Sequence, residues 1–344
     1  MRSSAPWSRS APAARRRSGY REPRRRWPDS RRGAEPIGTP VFFDHDGGLD
    51  DYLSLLLLLT YDVELLGISI TPADTVLEGA VPATRKILDL AGRSTVLVAA
   101  GTLEGPNPFP YSWRLDCLKV NDLPVLNQRA ELAAPLSDLS GQEFLARSLL
   151  ESGEPVTLLV TGPLTNLAWA LDHERAVEER VRELVVMGGA LEVAGNVQEP
   201  GHDGSAEWNF YWDPPAAKRV FDSSIPITMF PLDVTNGVPV TDEFRRAFGR
   251  QYSYPLSAAA GTIWAMTAGW DLATGLPYFC WDTLATSYLA APELCEFRRM
   301  TCDIVTEGAS QGRSILTDDG RPVEVAFGVD AEGFYAHCLE TLRR

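Results

Sequence analysis

From Pro40 onward the chain alternates short, dense apolar runs with stretches whose apolar positions recur every three or four residues. PVFFD (40–44), ELLGISIT (64–71), STVLVAAG (94–101), PVTLLVTG (155–162), RELVVMGG (182–189) and IPITMFPLD (225–233) are the runs. Between them, helical periodicity begins at Asp50, spans about Glu78 to Ala91, and returns in TNLAWALDHE (165–174). Runs this short and β-branched, without apolar/polar alternation, suit strands buried on both faces, as in a parallel sheet crossed over by helices. The pattern predicts an α/β fold with an open, mostly parallel, Rossmann-like sheet flanked by helices. No repeat or linker interrupts residues 38–344, so one domain is expected there.

Several runs end in polar or glycine-rich stretches: DHDGG, TPAD, VTGPLTN and MGGALEVAGN. The carboxyl edge of an open α/β sheet is where ligands sit, so these stretches are the first place to look for a site.

Composition adds exclusions. The chain has 344 residues, 44% apolar and 23% charged, with a formal net charge of −14, which argues against an electrostatic nucleic-acid footprint. The charge is uneven: residues 1–33 are rich in arginine and hold only two acids, Glu22 and Asp29. This leader lacks the apolar segment of a secretory signal. Its Arg- and Ser-rich, acid-poor character admits an organellar transit peptide, but its prolines and Arg runs spoil an amphipathic helix, so a disordered segment over 1–37 is expected. The densest apolar run, Leu55–Leu59, is far too short for a membrane span. Five scattered cysteines without paired spacing point to reduced thiols and a cytoplasmic setting.

The most unusual stretch is FFDHDGGLDD (42–51), which places Asp44, Asp46, Asp50 and Asp51 within eight residues, D-x-D-x-G-x-D-D. Acids at a helix N-terminus meet orphan amides and a favourable dipole, which accounts for one or two of them. Four such groups within 4–6 Å raise one another's pKa, and a hard cation with oxygen ligands relieves the repulsion. An EF-hand is excluded, because the twelfth position from Asp44 is Leu55. A phosphohydrolase that opens on an apolar strand and D-x-D is an alternative, but no downstream lysine and acidic pair follow in the manner that chemistry needs.

The chain also resembles the calcium-dependent nucleoside hydrolases, and within them the purine-specific inosine–adenosine–guanosine type. The resemblance spans Pro40 to the C-terminus and rests on FFDHDGGLDD, TPAD (71–74), NPFPYSWR (107–114), VTGPLTNLAW (160–169), VVMGGALEVAGNV (185–197), DGSAEWNFYWDP (203–214) and CWDTLATSY (280–288). It implies a Ca2+ ion held by Asp46, Asp51, the carbonyl of Thr161 and Asp282. It implies Asp50 on the ribose 2-hydroxyl, with Met187, Asn196, Glu207, Trp208 and Asn209 around the sugar. Such an array selects ribose over deoxyribose, since a missing hydroxyl leaves buried partners unpaired.

The chemistry implied is cleavage of an N-glycosidic bond through an oxocarbenium-like sugar, stabilised by the surrounding negative groups. Water acidified by the ion would give its proton to Asp46. The non-specific relatives place a histidine immediately before the late metal aspartate; here that residue is Trp281. The resemblance instead implies a purine sandwiched by Trp113 and Trp281, whose faces favour a cationic ring by about 0.5–2 kcal/mol each. Asp74 is a further residue shared with the purine-specific type. Gly48 departs from it, standing where those relatives carry Asn, and the loop 253–275 is a candidate border of the base without deciding the preference. His45 is expected to point away from the ion. Two further expectations are a dimer or tetramer of closed symmetry and the absence of membrane or nucleic-acid partners. The rival within the same fold is a catalytically inactive nucleoside- or ribose-binding protein.

Overall fold

The computed structural model describes residues 38–344, so the expectation of disorder over 1–37 lies outside the described residues. Its strands are β1 (Thr39–His45), β2 (Val63–Ile70), β3 (Val98–Ala100), β4 (Val156–Val160), β5 (Val181–Met187), β6 (Ile227–Phe230), β7 (Cys295–Ile304), β8 (Ser314–Leu316) and β9 (Arg321–Val329). They form one nine-stranded sheet in the order β3-β2-β1-β4-β5-β6-β9-β7-β8. Pairings from β3 through β6 to β9 are parallel; β7 runs antiparallel to both β9 and β8. The mostly parallel, helix-flanked sheet agrees with the sequence pattern, while the antiparallel edge is an addition to it.

The apolar runs are continuous because each strand feeds two cores. Val41 and Phe43 face one core, and Phe42 between them faces the other. The helix Leu49–Leu58 is buried along its whole length, because helices Pro255–Ala265 and Trp281–Ser287 pack against it. A helix apolar all round is stable only when enclosed in this way. Among the described residues no helix is long and apolar enough to cross a membrane.

After β1 the chain builds β2 and β3 on one side, then crosses to β4 on the other. The reversal opens a crevice at the carboxyl ends of β1 and β4, the switch point where ligands bind in open α/β sheets.

Candidate active site

The acid turn fills this crevice. Strand β1 ends at His45, and the helix starts at Leu49, one residue before the expected Asp50. The two glycines between them do different things. Gly47 adopts φ +81°, and a Cβ there would stand 2.7 Å from Thr75 Oγ1, so only glycine suits the turn. Gly48 is extended; its missing side chain leaves room among carboxylates, since a Cβ would lie 3.2 Å from Asp74 Oδ2 and 3.6 Å from Asp51 Oδ2.

The four aspartates have four distinct surroundings. Asp44 is buried and accepts from Ser69 Oγ at 2.9 Å, Asn166 Nδ2 at 3.1 Å and Thr71 Oγ1 at 3.4 Å. Burial pushes its pKa up to about 7 despite these bonds. So enclosed a carboxylate is no open nucleophile, which removes the phosphohydrolase reading. Asp46 accepts the Asp74 backbone N–H at 3.3 Å, and burial with the charges of Asp51 and Asp74 drives its pKa well up. Asp50 takes the Tyr278 hydroxyl on Oδ1 at 3.0 Å and the Asp282 backbone N–H on Oδ2 at 2.9 Å. Asp51 takes the Thr161 hydroxyl on Oδ1 at 2.5 Å and the Gly48 N–H on Oδ2 at 2.8 Å.

Asp282, in the first turn of its helix, is also buried, and its pKa is driven well up by burial and by Asp50, Asp51 and Asp46. Asp74 is raised by burial and Asp51, while Arg114 opposes the rise. That guanidinium is committed to the carbonyls of Thr75 and Pro72, at 3.1 and 3.2 Å. His45 Nδ1 lies 3.9 Å from Asp51 Oδ2 yet accepts the Gly47 N–H at 3.2 Å, and burial lowers its pKa. With Nδ1 accepting the Gly47 N–H the ring is neutral; it stacks on Phe43 and meets Thr84 through Nε2, a structural role.

The sugar-side residues converge on the same crevice. Glu207 caps its helix, accepting the backbone N–H groups of Asn209 at 2.8 Å, Gly189 at 3.0 Å and Phe210 at 3.3 Å, and burial raises its pKa to about 7. Asn209 donates its amide to the carbonyls of Thr161 at 2.9 Å and Met187 at 3.2 Å. It therefore fixes the Thr161 carbonyl, a task beyond the sugar contact expected of it. Asn196 Oδ1 accepts the Trp208 N–H at 3.1 Å.

Among the described residues no three acidic, His or Cys side chains are already spaced as the ligands of one ion. Their chemistry fits a hard cation nonetheless. Asp46, Asp51 and Asp282 are buried oxygen donors that bear on one another electrostatically, and Asp44 Oδ2 and Asp74 Oδ1 are buried without a partner. The Thr161 carbonyl lone pair not taken by Asn209 is a further donor of the right hardness.

Beside the acids runs an aromatic chain. Trp208 meets Trp113 at 5.5 Å between centroids, Trp113 meets Trp270 at 5.3 Å, Trp270 meets Tyr278 at 5.2 Å, and Tyr278 meets Trp281 at 4.8 Å. Trp113 and Trp281 are thus linked through Trp270, which lies in the stretch 253–275 named as a candidate border of the base, and through Tyr278, which the sequence did not single out. Trp208 Nε1 and Trp281 Nε1 are buried without acceptors. A groove of about 740 Å³ at the opposite sheet edge, lined by Thr39, Glu64, Glu154 and Arg182 among others, includes none of these residues.

Residues 41–336 match the Inosine-uridine preferring nucleoside hydrolase family, and the chain belongs to it: it is a nucleoside hydrolase. In structure it is similar to the inosine-uridine preferring nucleoside hydrolase of Bacillus anthracis, with a TM-score of 0.84 and 40% identity, covering 89% of this chain and 99% of that one. In sequence it is similar to the pyrimidine-specific ribonucleoside hydrolase RihA of Photobacterium profundum, 32% identical over 328 residues, 89% of this chain and 99% of the relative. A purine-preferring ribonucleoside hydrolase of Gardnerella vaginalis shares the fold at 25% identity and a TM-score of 0.73, covering 89% and 98%. These relatives carry the family and divide over the base, so the narrower kinship with purine-specific enzymes expected from the sequence is not supported by them.

Proposed function

We propose that the chain is a Ca2+-dependent hydrolase of purine ribonucleosides, releasing free base and ribose, and acting as a closed homo-oligomer. The observation that supports the purine reading is the aromatic wall from Trp208 to Trp281 beside Asp50 and Asp282. A bicyclic base offers the larger face to such a wall.

Asp46, Asp51, Asp282 and the Thr161 carbonyl would hold the cation, which supplies positive charge and acidifies water. Asp50 accepts from the ribose 2-hydroxyl. Asn196, Glu207 and Asn209 hold the remaining hydroxyls, with Trp208 and Met187 as pocket wall. As the C–N bond breaks, its electron pair leaves with the base and positive charge grows on the ribosyl ring, which the ring of acids stabilises where it develops. Water delivers oxygen to the anomeric carbon and its proton passes to Asp46. The described histidines near the crevice offer no general acid, since His45 is neutral and held by Gly47 and Thr84. The base takes up its proton from solvent, and stacking on Trp113 and Trp281 favours that protonated, better-leaving form.

Similarity to RihA favours a second reading, pyrimidine ribosides. The test is a panel of inosine, guanosine, adenosine, uridine and cytidine with Ca2+, following reducing sugar. Purine ribosides are expected to be cleaved faster. Release from uridine and cytidine alone would replace the purine reading with the second, and nucleoside binding without turnover would make this an inactive member.

A further inference from the structure

Tyr278 sits where the two halves of the site meet. Its ring is enclosed by Trp270 at 5.2 Å, Trp281 at 4.8 Å and Trp264 at 6.2 Å. Its hydroxyl donates to Asp50 Oδ1 at 3.0 Å. The opposite oxygen of Asp50 takes the Asp282 N–H at 2.9 Å, so the carboxylate is clamped at both oxygens and cannot rotate without breaking a bond.

The clamp stands on fixed backbone. The Tyr278 carbonyl accepts the Val240 N–H at 2.7 Å, and the Cys280 N–H reaches the Val238 carbonyl at 3.0 Å, around an antiparallel bridge between Pro239 and Phe279. On the other side the Thr283 hydroxyl reaches the Asp50 carbonyl at 3.4 Å. Tyr278 itself is buried. Packing alone would explain a ring here, and phenylalanine would serve equally well. It does not explain a phenol whose one polar atom meets the carboxylate assigned to the sugar.

We propose that Tyr278 is a positioning residue: it orients Asp50 toward the ribose 2-hydroxyl and thereby sets discrimination between ribosides and 2-deoxyribosides, linking base wall to sugar site. This rests on the ribonucleoside reading given above. A hydrogen bond to a charged acceptor is strong enough that its loss shifts a selected state by about tenfold or more.

The experiment compares the Ca2+-loaded wild-type chain with Tyr278→Phe, Asp50→Ala and the double variant. Each is assayed on inosine and 2-deoxyinosine for kcat and KM separately, with folding followed by thermal melting. In Asp50→Ala the preference for inosine should collapse. In Tyr278→Phe it should fall about tenfold, mainly through kcat on inosine, with deoxyinosine little changed. In the double variant the phenylalanine should add nothing further. If Asp50→Ala keeps the wild-type preference, the reading of the sugar site fails. If Asp50→Ala loses it while Tyr278→Phe keeps it, the positioning role alone is overturned. Equal loss on both substrates in Tyr278→Phe also overturns it, by showing a packing role. Should Tyr278→Phe not fold, Tyr278→Leu is judged by the same preference ratio, and loss of folding in both assigns Tyr278 to packing.

Discussion

Gly162, the turn residue after β4, presses against Asp46 so closely that one methyl group tests the acid's placement. A Cβ at Gly162 would stand 2.7 Å from Asp46 Cβ, 3.0 Å from its backbone nitrogen and 3.1 Å from its Cγ. Carbon atoms pack at about 3.5–4.0 Å, so Gly162→Ala requires a displacement of about 1 Å between the turn and Asp46. Rotation of the aspartate does not relieve it, because the contacts are to the atoms at the base of the side chain. Overpacking of this kind costs about 1–3 kcal/mol of stability. Misplacing a catalytic group by about 1 Å lowers turnover by about a hundredfold. The assay is inosine hydrolysis at saturating substrate and Ca2+, beside a melting curve showing that the variant remains folded. Gly153→Ala is the control, since nothing lies within 4 Å of its added methyl. A folded Gly162→Ala enzyme turning over within threefold of wild type would refute the reasoning, for Asp46 would then tolerate displacement that a proton acceptor in a rigid crevice does not.

Two further outcomes follow from the same geometry. Because the buried acids repel in the folded state alone, a cation that binds only that state should stabilise it, by about 2.7 kcal/mol at a hundredfold excess over Kd; chelation should lower the melting temperature and abolish turnover, and in Asp46→Ala both calcium responses should vanish, whereas a melting curve indifferent to calcium counts against the ion. Trp281→Ala should slow inosine hydrolysis by about one decade from the indole face, while a nitrophenyl riboside, whose leaving group departs unprotonated, should be little affected; equal losses on both substrates would show that stacking does not assist departure.

The parts of the fold legible in the sequence were those buried on both faces. β1 to β6 announce themselves as dense apolar runs because residues such as Phe42 and Phe43 enter different cores. β7 does not, since CEFRRMTCDI carries exposed Glu296, Arg298 and Arg299, and only pairing with β9 makes it a strand. The acid turn was legible because like charges at a strand end demand an explanation. Its inner partners were less so: Ser69 is a single polar residue inside an apolar run, and Asn166 lies in a quoted motif without a stated role. Tyr278 left no local signal, and Trp270 was covered only as part of the stretch 253–275. Trp270 belongs to the five-residue helix Trp270–Thr274, between Gly269 and Gly275, both with positive φ. The helix is too short for periodicity, and only the tertiary fold brings Trp270 to Trp113. Of the two glycines in the motif, the backbone bend belongs to Gly47, and Gly48 contributes vacant space.

The crevice has no single owner in the chain. Residues 44–51 reach it from one side of the seam between β1 and β4, and Thr161, Glu207 and Asp282 from the other. A chain severed in the exposed stretch around 128–132 would leave each piece with an incomplete set of oxygens. Recovered turnover would then report reunion of the pieces, and the active centre itself would serve as the gauge of whether the molecule had become whole.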